Sequence, residues 1–319
     1  MPRGQLPDCR QSIAQSAGCV LLPVTLLVLL ALGTSCAPTR QSGTVEDTQT
    51  SGRITVVASP ELHALLDREA AAFRVLYPQA TITIVEGTSR DAVGRLLSQQ
   101  VDLIAVGREL QPEERNVTVK GGMELEGYRF ARDGMVVVVN PSNPVSHLSA
   151  EDLREVFLGQ VTDWSALGRG HGPIEPVLQP LASDAGVSML QQVMGGQAPT
   201  ASAHAAANDA EVVARVARTP GALGLVSMHA VTPGVKVVPV SALQGLAPVT
   251  ADVQSVYKGE YPLTRFQDLY VRSTGPRLAN GFITYITSLD GQKLVHEAGL
   301  VPTAVPVRFV HRSPMLGSH

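Results

Sequence analysis

Residues 133–164 read DGMVVVVNPSNPVSHLSAEDLREVFLGQVTDW, and the order of signals in this stretch decides the fold class. Residues 135–139 form an unbroken apolar run, four of them valine, the pattern of a strand buried on both faces. Asn140-Pro141 ends it, because proline has no amide for a ladder and biases the residue before it. Ser149 then opens a helix, with Asp152 placed to complete a capping box. Leu153, Val156 and Phe157 put one apolar stripe on that helix, and Gly159 falls where a left-handed cap is wanted. Trp164 follows a turn and is expected in the core rather than as a stacking platform.

Upstream, the spacing predicts a strand over 54–58, a helix opened by Ser59-Pro60-Glu61, a strand over 81–85, a helix after Gly87-Thr88-Ser89 and a strand over 101–106. Strand and helix alternating at this interval imply a parallel α/β sheet. Downstream, strands are expected over 174–178, 221–226, 235–240 and 269–271. Helices are expected from Ser183 to about Met194, over 209–218, and in two pieces over 280–298, with 195–208 as loop.

The stretch 133–164 resembles the crossing between lobes in the phosphate-binding proteins of ABC transporters, where "DG-VVVVNPSNP" leads to "L-EDLR-IF-G" and then "TDW". The resemblance extends from about Arg53 to Pro302. Residues 221–226 are similar to the family's "GAIGYV" strand, 261–263 match its "YPL", and 280–302 are close to "FI-YI-S-EGQ-LV-EAGYVP". It implies a two-lobed periplasmic-binding-protein-like α/β fold of type II. Lobe 1 would be 53–134 and 227–302, lobe 2 would be 135–226, and 303–319 a tail. The lobes would hinge at strands near 135–139 and 223–226.

The first residues differ from the rest. Arg3 and Arg10 precede an apolar run over 20–32, then Gly33, Thr34, Ser35 and Cys36. Residues 1–36 therefore read as an export signal with a possible lipobox, Cys36 being the acylated residue of a lipoprotein, and 37–52 as a flexible tether. An ordinary cleaved signal is the alternative. The cysteines, Cys9, Cys19 and Cys36, all lie here, so nothing downstream can form an internal disulfide or a cysteine metal site. A net charge of −3 is a poor match to nucleic acid, and aromatic residues at 4% argue against a sugar-stacking cleft. The histidines show no metal-ligand spacing, and Gly186-Val187-Ser188 is not followed by the glycine of a nucleophile elbow. No enzyme activity, cofactor or metal is expected.

In an open parallel sheet a ligand sits beyond the carboxyl ends of the strands, where helix N-termini attract anions. Ser59, Ser89 and Ser183 lie at such turns; any one of them alone reads first as a helix cap, and the three together read as a binding cleft. By resemblance, Ser59 matches the family's first binding loop, Thr88, Ser89 and Arg90 fall in its "GGSGAG" loop, and Ser183 matches its "SGT" loop. Gly107 and Arg108 match "SREL", with glycine for serine. There are departures. Gln179 stands where the family often has arginine, Asp184 and Ala185 replace the glycine and threonine of "SGT", and Glu61 stands near the first loop. Arg90 or Arg108 would then supply the bidentate contact that Gln179 lacks, or Arg108 would pair with Glu109 or Asp102.

The resemblance implies a monomeric, extracytoplasmic substrate-binding protein that presents inorganic phosphate or a related oxyanion to an ABC permease. The alternative is a membrane-tethered sensor or interaction module with a degenerate anion site.

Overall fold

The structure, a computed structural model, describes residues 46–168 and 170–303; the expected export signal, Cys36 and the tail beyond 303 lie outside the described residues. The chain runs β1 (Gly52–Ala58), α1 (Pro60–Leu76), β2 (Ala80–Glu86), α2 (Ser89–Leu97), β3 (Leu103–Val106), α3 (Pro112–Lys120) and β4 (Leu125–Val139). It continues through β5 (Leu148–Ser149), α4 (Ala150–Phe157), β6 (Glu175–Leu178), α5 (Asp184–Gln192), β7 (His204–Ala205), α6 (Asp209–Arg218) and β8 (Ala222–Ser227). It closes with β9 (Lys236–Val238), β10 (Val240–Ser241), α7 (Val253–Lys258), β11 (Thr264–Arg272), α8 (Arg277–Ile286), α9 (Leu289–Glu297) and β12 (Val301–Pro302).

One continuous strand order, β2-β1-β3-β11-β4-β8-β6-β7, carries both lobes. The first three strands are parallel, as expected; β11 and β4 are antiparallel to their neighbours, so the sheet is mixed. Strand β4 is the crossing. Its first part pairs with β11 up to Gly134, and its second part, from Met135, pairs with the returning β8. The valine run owes its unbroken apolar character to cores on both sides. Met135, Val137 and Val139 enter one cluster with Leu153, Phe157 and Trp164, while Val136 and Val138 enter another with Val212, Val216 and Val226. Lobe 1 repeats the device: Val56 faces Leu62, Phe73 and Phe282, and Val57 faces Val93 and Leu96. That is the period-two alternation of a pleated strand.

Helix α4 forms where the sequence placed it. Ser149 Oγ accepts from Asp152 N at 3.0 Å, and Asp152 Oδ2 accepts from Ser149 N at 2.9 Å. Gly159 has φ +74°, the left-handed conformation that disfavours a side chain.

Three expectations change. The stretch 195–208 contains the short strand β7, which pairs with β6. The expected strand over 235–240 splits, because β9 pairs with the second half of β4 while β10 turns away to pair with β5. Val238, Val240, Val256, Tyr261 and Leu263 thereby join the cluster of Met135 and Leu153. The tether reading also ends early, since the Asp47 carboxylate accepts from the amides of Arg277 and Leu278 at the start of α8.

Candidate functional site

Strands β1, β2 and β3 end side by side, with Ala58 opposite both Glu86 and Ala105. The turns that follow bring Ser59, Ser89 and Gly107 to one edge of lobe 1. Ser59 is the N-cap residue of α1, but its hydroxyl makes no cap bond. That hydroxyl is buried and has no hydrogen-bond partner among the described residues, an arrangement that costs free energy unless something else completes it. Ser89 is the first residue of α2, not its cap; the cap is Thr88, whose Oγ1 accepts from Asp91 N at 3.2 Å. Thr88 and Arg90 are exposed.

What Ser89 and Gly107 hold is a carboxylate from the other lobe. Ser89 Oγ and Gly107 N both donate to Asp184 Oδ2, each at 2.7 Å. Asp184 is the first residue of α5 and is buried. A Cβ at position 107 would lie 2.9 Å from Asp184 Oδ2 and 2.9 Å from Gln267 Oε1, so only glycine lets the backbone amide reach this oxygen. The second oxygen, Asp184 Oδ1, has no hydrogen-bond partner among the described residues; Arg108 Nε, also without one, pairs with it electrostatically at 3.6 Å.

The Arg108 head group is committed elsewhere. Its two terminal nitrogens reach Glu114 Oε1 and Oε2, each at 2.8 Å, a bidentate pair in the first turn of α3. The structural partner is therefore Glu114, not Glu109 or Asp102; Glu109 supplies only its carbonyl, and Asp102 accepts from Thr55 N. The Ser183 hydroxyl is also spent locally. It donates to Pro180 O at 2.7 Å and accepts from Gly186 N at 3.1 Å, which makes it the cap of α5. Gln179 Nε2 donates to Asp209 Oδ1 at 2.6 Å.

The charged centre of the cleft was not singled out from sequence. Arg265 on β11 is buried and donates from Nε and Nη2 to Asp133 Oδ2 at 3.0 and 2.8 Å. Its terminal nitrogens also reach Glu61, at 3.3 and 2.5 Å. Asp133, fully buried just before the crossing, accepts from Ser227 Oγ at 2.6 Å at the end of β8. Burial opposes the Arg265 charge, but Glu61 and Asp133 together outweigh it and push its pKa up. Burial pushes the Glu61 carboxyl above the ordinary range against the pull of Arg265, and the nearby Asp184 and Asp133 charges add to that push. Burial likewise raises Asp209. One signal was available: Arg265 and Gln267 share strand parity with the buried Leu269 and Val271, which points both polar side chains inward.

Chemically, the lobe 1 edge carries hydroxyl and amide donors at helix starts, and two of them hold a carboxylate oxygen. The sequence from 43 to 290 matches the model of the PBP superfamily domain. The chain belongs to the PBP superfamily. Among relatives of this PBP superfamily member, the phosphate-binding protein PstS of Bacillus subtilis is 27% identical over 255 residues, covering 79% of this chain and 81% of that one. Among solved structures, an ABC-type phosphate transport receptor from Vibrio cholerae aligns with a TM-score of 0.68 at 23% identity, covering 79% of this chain and all of that one. A putative phosphate ABC transporter substrate-binding protein from Clostridium perfringens, with bound phosphate, gives 0.68 at 22%, covering 79% and 99%. These two likenesses show the two-lobed fold.

Proposed function

We propose that this protein is the extracytoplasmic substrate-binding component of a phosphate-type ABC importer, holding a small oxyanion, phosphate first, between its lobes. The observation that carries the reading is that Ser59, Ser89 and Gly107 follow the ends of three adjacent parallel strands, with an oxyanion of the protein's own already bound by Ser89 Oγ and Gly107 N. The relatives named for phosphate binding support the choice of anion. Binding requires no bond making, and the assigned residues act as donors only. The loaded form would be the one presented to a membrane permease.

Titration calorimetry on phosphate-stripped protein with phosphate, sulfate, molybdate and tungstate tests this. Binding of one anion at micromolar concentration or tighter is expected; no heat from any of the four removes the reading.

Anchoring is part of the same proposal. Among the described residues no helix is long and apolar enough to cross a membrane. The basic, apolar and small-residue order before Cys36 supports export followed by lipidation of that cysteine. Replacement of Cys36 by serine is expected to move the protein from the membrane fraction to the soluble one, and an unchanged distribution excludes the anchor.

A further inference from the structure

We propose that Asp184 is a tethered occupant of the oxyanion site: its carboxylate latches lobe 2 onto lobe 1, and an incoming anion binds by displacing it. This rests on the oxyanion reading of the same cleft and adds its regulation.

Four observations converge. First, the two donors best placed for an anion, Ser89 Oγ and Gly107 N, are both taken by Asp184 Oδ2 at 2.7 Å, the short distance of charge-assisted bonds. An external anion and Asp184 therefore compete for the same hydrogens. Second, the contact crosses the molecule. Asp184 starts α5 in lobe 2, its partners follow β2 and β3 in lobe 1, and the sequence separations are 95 and 77 residues. Third, the carboxylate fills the site incompletely. Ser59 Oγ and Arg108 Nε, the remaining donors on this edge, are buried without hydrogen-bond partners among the described residues. A planar carboxylate on a short stem satisfies only part of a cradle whose donors approach from several directions, and a tetrahedral oxyanion has more oxygens to offer. Fourth, the cavity next to the start of α5 is small. The adjoining cavity, lined by Gln179, Gly186, Ser227 and Arg265 among others, holds about 10 Å³, room for roughly one water.

Charge favours displacement over co-occupancy. With Asp184 in place, Glu61 and Asp133 pair with Arg265, the Asp184 charge acts on Glu61, and the Arg108 head group is paired with Glu114. A multiply charged anion added within a few ångströms of Asp184 meets strong repulsion in a poorly screened interior. Movement of α5 relieves that repulsion and frees the Ser89 hydroxyl and Gly107 amide in one step. Without added anion, the latch keeps the lobes together; when an anion binds, the same donors change partner.

Two variants test the latch, Asp184→Gly and Asp184→Asn, each first confirmed as folded by circular dichroism. In phosphate-stripped protein, Asp184→Gly is expected to give a larger radius of gyration by small-angle scattering than wild type, and inorganic phosphate is expected to restore compactness. Its phosphate affinity is expected to rise by about 10-fold or more, as removal of a competitor for two charge-assisted bonds requires. Asp184→Asn, which keeps an acceptor oxygen and removes the charge, is expected to fall between, and it serves alone should the glycine variant fail to fold. A stripped variant as compact as wild type overturns the latch even where both proteins bind phosphate. An affinity that is unchanged or weaker in the variants also overturns it. Expansion of the variant with no anion bound by either protein leaves the latch standing and removes the oxyanion reading instead.

Discussion

Replacing Arg265 with methionine is expected to lower the free energy of unfolding by about 3–5 kcal/mol, the usual cost of stripping one partner from a buried ion pair. Arg265 is almost fully buried and shared between Asp133, with no exposure at all, and Glu61. Without it, the Asp133 carboxylate keeps only Ser227 Oγ and Met228 N in a site with no other described cation in contact. The damage is focused where the chain passes between lobes, because Asp133 and Arg265 are directly opposed on β4 and β11, and Met135 is opposed to Ser227. Urea unfolding followed by circular dichroism measures it. A loss under 1 kcal/mol would show that the triad is not the anchor described here. A triple replacement of Glu61, Asp133 and Arg265 by apolar residues of similar volume is expected to recover most of the loss, since the charges are needed chiefly by one another.

The second large effect concerns Glu69, far from the cleft in the fold of lobe 1. It lies on the apolar face of α1 among Leu65, Leu66 and Phe73, is fully buried, and neither carboxyl oxygen has a hydrogen-bond partner among the described residues. Burial raises its pKa to about 9, against a smaller opposing pull from Arg68. The folded protein therefore keeps a proton that the unfolded chain releases above about pH 4.5. The unfolded state gains from rising pH and the folded state does not, so stability falls as pH rises from about 4.5 to about 9, by at most ~1.4 kcal/mol per unit. Glu69→Met removes the group. It is expected to be more stable than wild type by on the order of 3 kcal/mol at pH 7, with the gap closing toward pH 5 and widening toward pH 9. Denaturant midpoints measured across that range check it, and a gap independent of pH excludes a proton held by Glu69.

Sequence patterning carried most of the fold. The valine run, the Asn140-Pro141 stop and the Ser149 capping box lie within a few residues of one another, and local signals of that kind survive any tertiary context. The departures arise where distant segments decide. Residues 236–263 follow the returning strand β8, and the edge of β4 from Val137 to Val139 recruits β9 and draws Val238 into the cluster of Met135 and Leu153. Strand β7 is two residues long, too short for a periodic signal, and exists because β6 offers it an edge. At the site, Ser183 reads identically to Ser59 in sequence, but the Pro180 carbonyl and the Gly186 amide absorb its hydroxyl while Ser59 is left without a partner. In sequence Asp184 is only a departure from the family's "SGT" loop. Only the opposing loops, distant in sequence, reveal that its carboxylate is held by an anion's donors.

Ser59 separates a binding cleft from an ordinary set of helix starts, because its buried hydroxyl does nothing for the fold that the described contacts record. Phosphate titration of Ser59→Ala beside wild type, with melting temperatures taken on the same samples, is the decisive comparison. The expected result is an affinity about 10- to 100-fold weaker, the worth of one hydrogen bond to a charged group, with melting unchanged or slightly raised. Equal affinity in the two proteins would contradict an oxyanion held at the ends of β1, β2 and β3.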